Sequence, residues 1–375
     1  MRRLLFFLHS LSAGGAERVT ATLANHWARK GWVVTVVTVT GASTDFYELD
    51  ARIRRIPLDM AADSRHIGEA VWHNLRRIRV LSRVLKREKP DVAVSMMATA
   101  NVTLALAGRL AGVPAIGSER IHPPTLPLGR MWEASRRRAY PLLAGMVAQT
   151  PASAAWIEAH SPADRIRVIP NPVRYPVGRH APYIDPVEVK GSLAGERLVI
   201  AVGRLDHQKG FDRLLAAWAP VIEEHSDWSL VLLGEGVERE ALIEQAKAFG
   251  IHDRVALPGA VGNLGDWYEA ADCYALTSRF EGFPNALLEA LAHGVPSVAV
   301  DCDTGPREIL RHEVDGLLVP QDDPEALGEA LDRMMGDADL RARFAERAVE
   351  ARDRCAVESI AGQWEALFDE VVRAR

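Results

Sequence analysis

Short runs of β-branched and other apolar residues alternate with longer amphipathic stretches along almost the whole chain, which leaves few folds open. RLLFFLH, GWVVTVVTV, PDVAVSM, VPAIGSE and GMVAQT read as five strands in the first half. LVIAVGR, WSLVLLGEG, RVALPGAV, ADCYALTS and VPSVAVD read as five more in the second. Stretches such as ERVTATLANHWARKG, with apolar or small residues three or four apart, read as the helices between them. Nearly uninterrupted apolar strands need cover on both faces, so the expected class is α/β, with parallel sheets wrapped by helices.

At 375 residues the chain exceeds what one ordinary core holds. IPNPVRYPVGRHAPYIDPVEVKG carries five prolines and no periodicity, and it separates the two sets of strands. The expected organisation is a doubly wound domain over 1–172, a linker over 173–189 and a second doubly wound domain over 190–355. An amphipathic helix within 356–375, SIAGQWEALFDEVVRA, is expected to close the chain by packing back across it. The apolar start Leu4–Leu8 is five residues long and ends at His9 and Ser10, which fits a buried first strand better than a signal peptide. No stretch approaches the about 18 apolar residues of a membrane span. Three widely spaced cysteines suggest a reducing compartment and no disulfide framework.

Open parallel sheets bind ligands where the loops gather at the carboxyl ends of their strands, and the candidate motifs lie there. LHSLSAGGAER leaves the first strand and enters a helix. Gly14 and Gly15 suit either a tight turn or a close approach of backbone to an anion at the helix N-terminus, and the G-x-G-x-x-G dinucleotide spacing is absent. In AVGRLDHQKGFDRLL, Arg204 and Lys209 flank a strand end and a helix start; they read as a diphosphate clamp or as solvated charge. SRFEGFPNALLEALAHG places Glu281 in a loop, Pro284 at the first position of a helix over about 284–293, and Glu289 on its second turn. Two carboxylates around a helix N-terminus can accept hydrogen bonds from the hydroxyls of a sugar or ribose whose phosphates face that helix end. One of them can equally serve the helix dipole and the other the surface.

Taken in order, GGAER, GR followed by KG, and E-x7-E resemble the retaining glycosyltransferases of family 4, which have the GT-B fold: two Rossmann-like domains facing a cleft, with a C-terminal helix crossing back to the first. The resemblance covers nearly the whole chain. It implies an N-terminal acceptor domain and a C-terminal domain for a nucleotide-sugar donor, with a UDP-linked hexose or N-acetylhexosamine expected. Arg204 and Lys209 would hold the diphosphate, Glu289 the ribose hydroxyls and Glu281 the hydroxyls of the transferred sugar. The base would lie against backbone near Gly259–Val261, with Val261 as a donor-site residue, and Gly14 and Gly15 would approach the donor from the first domain. The family often has glycine where Pro284 stands, so the amides of Asn285 and Ala286 must supply the contacts that a proline nitrogen cannot. Relatives often carry a functional histidine or acidic residue after the fourth of these strands, where GSERIHPP places Glu119 and His122; each is an acceptor-side or catalytic candidate, the alternatives being a structural histidine and a solvent-facing glutamate.

Asp301-Cys302-Asp303 imitates a metal-binding D-x-D, but the cations already present make metal-independent chemistry, with no cofactor, the expectation. An epimerase of the same fold, or a non-catalytic nucleotide-sugar-binding protein, is the alternative function. The charge is uneven: residues 1–180 hold 26 Lys/Arg against 13 Asp/Glu, and the remainder 19 against 37. Basic clusters at 71–90 and at Arg136–Arg138, with Trp132, Tyr140 and Leu142–Leu143 alongside, suit an anionic membrane surface or a lipid-linked pyrophosphate acceptor. Solvated helix faces are the other reading. No nucleic-acid recognition motif accompanies these clusters. The expected location is therefore the cytoplasmic side of the membrane, peripherally bound.

Overall fold

The computed structural model describes residues 2–61, 66–161 and 163–374. The chain divides into two compact units, one made of Met1–Pro172 and Val357–Arg375, the other of Val173–Ala356.

In the first unit, β1 (Arg3–Leu8), β2 (Val33–Thr38), β3 (Arg54–Pro57), β4 (Val92–Met96), β5 (Ala115–Ser118), β6 (Gly145–Ala148) and β7 (Ile166–Val168) form one sheet. The order is β3-β2-β1-β4-β5-β6-β7 and every pairing is parallel. Helices α1 (Gly15–Arg29), α2 (Ile67–Glu88), α3 (Ala98–Ala111), α4 (Arg130–Ala139) and α5 (Pro151–His160) connect the strands. The period of two sorts each strand between two cores. Leu4, Phe6 and Leu8 of β1 join Trp27 on one face, while Leu5 and Phe7 join Leu81 and Leu104 on the other.

The second unit holds β8 (Arg197–Val202), β9 (Trp228–Leu233), β10 (Val255–Gly259), β11 (Cys273–Leu276), β12 (Ser297–Asp301) and β13 (Gly316–Pro320). They run parallel in the order β10-β9-β8-β11-β12-β13. The helices α6 (Pro186–Gly191), α7 (Phe211–Val221), α8 (Arg239–Ala248), α9 (Leu264–Ala270) and α10 (Asn285–Ala292) come first. They are followed by α11 (Pro306–Ile309), α12 (Pro324–Gly336), α13 (Ala338–Ala348) and α14 (Ala351–Arg354). Val199 and Ala201 of β8 pack with Trp218 on one face; Leu198 and Ile200 pack with Trp267 and Leu287 on the other. Both sheets are thus covered on two sides, as continuous apolar strands require.

Two features differ from expectation. The sequence reading lacks β3, β7 and β13, each of which is the edge of its sheet or next to no further strand. The proline-rich stretch over 173–189 is also no free linker, because it is laid down on the second unit. Val177 N–H donates to His293 Nε2 (3.3 Å), His180 N–H to the Gly262 carbonyl (3.0 Å) and Ile184 N–H to Asn263 Oδ1 (3.2 Å). Prolines remove donors from this stretch, and the amides that remain find acceptors on the unit beneath.

The last helix, α15 (Val357–Arg373), completes the first unit. Ile360, Trp364, Leu367, Phe368 and Val371 recur at helical spacing and enter the core behind α1. Glu365 fixes the contact by accepting from Trp27 Nε1 (2.9 Å) and pairing with Lys30 (2.7 Å). Trp364 is 1% exposed. Trp364→Ala should therefore destabilise this unit by about 3–5 kcal/mol, the usual range for truncating a buried aromatic. Denaturant unfolding followed by fluorescence measures it, and a loss under about 1 kcal/mol would contradict the packing described.

Candidate active site

In the second unit the chain leaves β8 to build β9 and β10 on one side, then returns to build β11 on the other. The loops after β8 and β11 therefore start side by side at their carboxyl ends, where such sheets open a crevice. After β8 come Gly203 and Arg204, a single turn His207–Lys209, and Gly210 in the left-handed region at φ +63°. A side chain at 210 would be strained in that conformation and would collide with the Thr277 carbonyl. The bend turns Lys209 back so that its stem crosses Gly203, where an added Cβ would lie 2.9 Å from Lys209 Cδ.

Lys209 Nζ reaches Glu281 Oε1 at 2.6 Å, and Ser278 Oγ donates to the same oxygen at 2.7 Å. Both partners of the ion pair are largely enclosed, with side chains 17% and 7% exposed. The main chain of the Glu281 loop is clamped as well. Gln208 Nε2 donates to the Phe280 carbonyl (3.1 Å) and Thr304 Oγ1 to the Glu281 carbonyl (2.7 Å). Arg204 stands further out, 69% exposed, with Gln208 Oε1 at 3.1 Å and Asp206 at 3.3 Å.

Pro284 is the N-cap of α10 rather than its first helical residue, so Asn285 and Ala286 open the helix. Glu289 lies on the second turn, buried, and the Tyr268 hydroxyl is 3.2 Å from its Oε2. Tyr274 on β11 brings a fully buried hydroxyl that has no hydrogen-bond partner among the described residues. Burial, with the charges of Glu281 and Glu289, pushes its pKa well above the ordinary tyrosine value. Val261 is a core residue, so only its backbone can meet a ligand. Asp301 pairs with Arg307 (2.8 Å), and among the described residues no group of three His, Cys, Asp or Glu could hold a metal ion.

The corresponding loops of the first unit are arranged differently. Gly14 is the N-cap of α1, but the Glu17 carboxylate folds back over it and accepts from Ser10 Oγ (3.2 Å). The helix start expected to face an outside anion thus carries a carboxylate of its own, whose pKa burial raises. After β5, Glu119 points into the interior instead of into solvent. It accepts from the Tyr140 hydroxyl and lies 3.5 Å from Arg136 Nε. Asn101 Nδ2 donates to that same hydroxyl (3.3 Å). Arg120, which no pattern in the sequence singles out, is buried on Ser118 Oγ (3.2 Å) and Asn171 Oδ1, and burial lowers its pKa to about 9. His122 is half-buried, with Nδ1 3.0 Å from Ser153 Oγ at the start of α5. Thr150 Oγ1 donates to Ser153 Oγ (3.0 Å), which links Ser153 back to the residue that caps α5.

Residues 13–175 match the profile described as Glycosyltransferase Family 4, and residues 187–351 that of Glycosyl transferases group 1. The chain belongs to this glycosyltransferase family. It is 31% identical, over 96% of its length, to an exopolysaccharide phosphotransferase of Streptomyces coelicolor, of which it spans 40%. It is 27% identical, over the full length of both chains, to a Campylobacter jejuni GalNAc-alpha-(1->4)-GalNAc-alpha-(1->3)-diNAcBac-PP-undecaprenol alpha-1,4-N-acetyl-D-galactosaminyltransferase. A sucrose-phosphate synthase from Thermosynechococcus elongatus shares the fold over the full length of both chains, with TM-score 0.82 at 19% identity. An Anabaena protein, HepE, in complex with UDP and glucose gives 0.78 at 20% identity over 99% of this chain and 100% of that one. The fold of the glycosyltransferase is accordingly GT-B.

Of the site residues expected in this enzyme, Lys209 and Glu281 meet directly, and Asn285, Ala286 and Glu289 share the adjoining helix. Glu119 and Arg136 leave the surface roles given to them. Arg136 is 1% exposed, pairs with Glu133 (3.0 Å) and lies over the Trp156 ring at 5.2 Å. Tyr140 is fully buried too, which leaves Arg137, Arg138 and Leu142 as the exposed members of that cluster. Arg136→Ala should cost about 3–5 kcal/mol, because it strands the Glu119 charge in the interior. Burial already raises the Glu119 pKa, and Arg136 is the largest influence holding it down. The loss should shrink as the pH falls, since protonation removes the buried charge. Thermal unfolding across pH reads this directly, and a loss that grows in acid would contradict it.

Proposed function

We propose that this glycosyltransferase moves a sugar from a nucleotide diphosphate, UDP by preference, to a hydroxyl of a lipid-linked glycan, with retention at the anomeric carbon. The observation that carries the reading is the meeting of Lys209 and Glu281 at the β8–β11 crevice beside the start of α10. The Campylobacter relative's undecaprenol-diphosphate acceptor and the UDP and glucose bound to HepE support the substrate classes.

In this mechanism the bond between the anomeric carbon and the diphosphate oxygen breaks, and one to the acceptor oxygen forms on the same face. The acceptor proton passes to the departing phosphate. Lys209, Arg204 and the Asn285 and Ala286 amides stabilise the charge that develops there; preorganised cations and helix dipoles do this without reorganisation. Glu289, held by Tyr268, accepts from ribose hydroxyls, and Glu281 from hydroxyls of the sugar. The backbone near Val261 lies against the base. His122 is the acceptor-side polar group, while Glu119 holds the loop that carries it. No metal is required in this scheme.

Lys209→Ala and Glu289→Ala should each lower turnover tenfold or more with the fold intact, since a hydrogen bond to a charged group is worth about 1.5–3 kcal/mol. Transfer assays on a nucleotide-sugar panel, run with and without EDTA, test this. Near wild-type rates in both variants would remove the donor site, and EDTA-sensitive activity restored by manganese would bring a metal into the scheme.

The same reading places the enzyme on an anionic membrane surface through α2. Val71, Trp72 and Leu75 are exposed at its start. Arg76, Arg79 and Arg83 continue from Trp72 along one exposed stripe, with Arg76 over the Trp72 ring at 5.6 Å. Among the described residues no helix is long and apolar enough to cross a membrane. An aromatic anchor beside a basic stripe suits the headgroup layer, each basic charge adding about 1 kcal/mol. Trp72→Ala with Arg76, Arg79 and Arg83→Ser should reduce binding to phosphatidylserine vesicles and leave nucleotide binding unchanged. Wild-type binding that ignores salt, or no binding, would sink the membrane reading.

A further inference from the structure

The Lys209–Glu281 pair raises a problem for a site that takes diphosphates. The cation expected to attract phosphate is already neutralised by a carboxylate 2.6 Å away, and both are mostly enclosed. That carboxylate is held there. Ser278 donates to it, and the loop main chain is tied on two sides by Gln208 and Thr304. Tyr274, from the strand below, contributes a buried hydroxyl that has no partner among the described residues. Any phosphate brought to Lys209 therefore meets the Glu281 charge at close range, and like charges in an enclosed site repel strongly.

The repulsion depends on what the phosphate carries. With a sugar attached, hydroxyl groups stand between the two anions and donate to Glu281, turning a like-charge contact into a charge-assisted hydrogen bond. After transfer the sugar is gone, and once the proton taken from the acceptor has been released to solvent the terminal phosphate bears an additional negative charge. The carboxylate then meets no donor on the product and a larger charge opposing it. We propose that Glu281, paired with Lys209, makes this site discriminate against a bare diphosphate in favour of a sugar-bearing one, so that transfer itself lowers the hold on the product. The inference rests on the donor-site reading above and adds a specificity-determining role for Glu281.

The test is calorimetric binding of inorganic pyrophosphate, of UDP, GDP and ADP, and of their sugar conjugates to the full chain and its variants. Glu281→Gln keeps the size of the side chain and removes its charge. It should bind bare diphosphates at least about tenfold tighter than the wild type, as relief of a like-charge contact implies, and sugar conjugates no tighter. Glu281→Ala gives the same comparison if glutamine disturbs the loop, and thermal unfolding verifies both folds. Equal gains for the two classes, or no gain for the bare diphosphates, would overturn the inference. The donor site itself is judged separately by Lys209→Ala. Loss of diphosphate binding there keeps the donor reading whatever Glu281 does; unchanged binding, or no sugar conjugate bound by the wild type, removes that reading and the inference with it.

Discussion

A parallel sheet cannot return on itself by hairpins, so every strand must be reached by a crossover that covers a face. That constraint organises both units. It forces apolar side chains to both sides of each strand and gathers the connecting loops at one end of the sheet. It also makes strand order reverse somewhere, at β1 and β4 in one unit and at β8 and β11 in the other. The Lys209–Glu281 contact follows from the second reversal. Residues 72 apart in sequence face each other because their strands are parallel neighbours whose connections lead to opposite sides of the sheet.

The two units use buried charge differently. Around Glu119 the carboxylate is matched by Arg136 and Tyr140, and Arg136 in turn by Glu133 and the Trp156 ring, with Arg136 Nε itself making no hydrogen bond among the described residues. This network ties α4 to the loop that follows β5. Around Glu281 the carboxylate is matched on one oxygen, while a neighbouring tyrosine hydroxyl remains unmatched among the described residues.

How much of this was legible in the sequence follows from where each signal originates. The central strands were readable because burial on two faces demands an unbroken apolar run. β3 and β7 were not: as edges they tolerate Arg54, Arg55 and Arg167, which break the run, and β13 is a five-residue segment closed by Pro320. The donor-side motifs were readable because glycine, proline and charge sit at strand ends for backbone reasons that act locally. Tyr268, Ser153 and Arg120 were not readable, since their importance lies in partners brought by other elements. Glu119 and Arg136 misled for the same reason. A charged residue on a helix looks solvated until its counter-charge is found 17 positions away on another element.

The first unit is interrupted in sequence: its chain stops at Pro172 and resumes at Val357, with the whole second unit between. A ribosome delivers residues in order, and domains generally fold as units while the chain emerges. The second unit is contiguous and is complete when Ala356 leaves the exit tunnel. The first must wait with the face behind α1 uncovered until α15 has been made, so the half synthesised first is the half that finishes last. Until then Trp27 has Phe6 and Trp32 beside it but lacks the cover that Phe368 supplies.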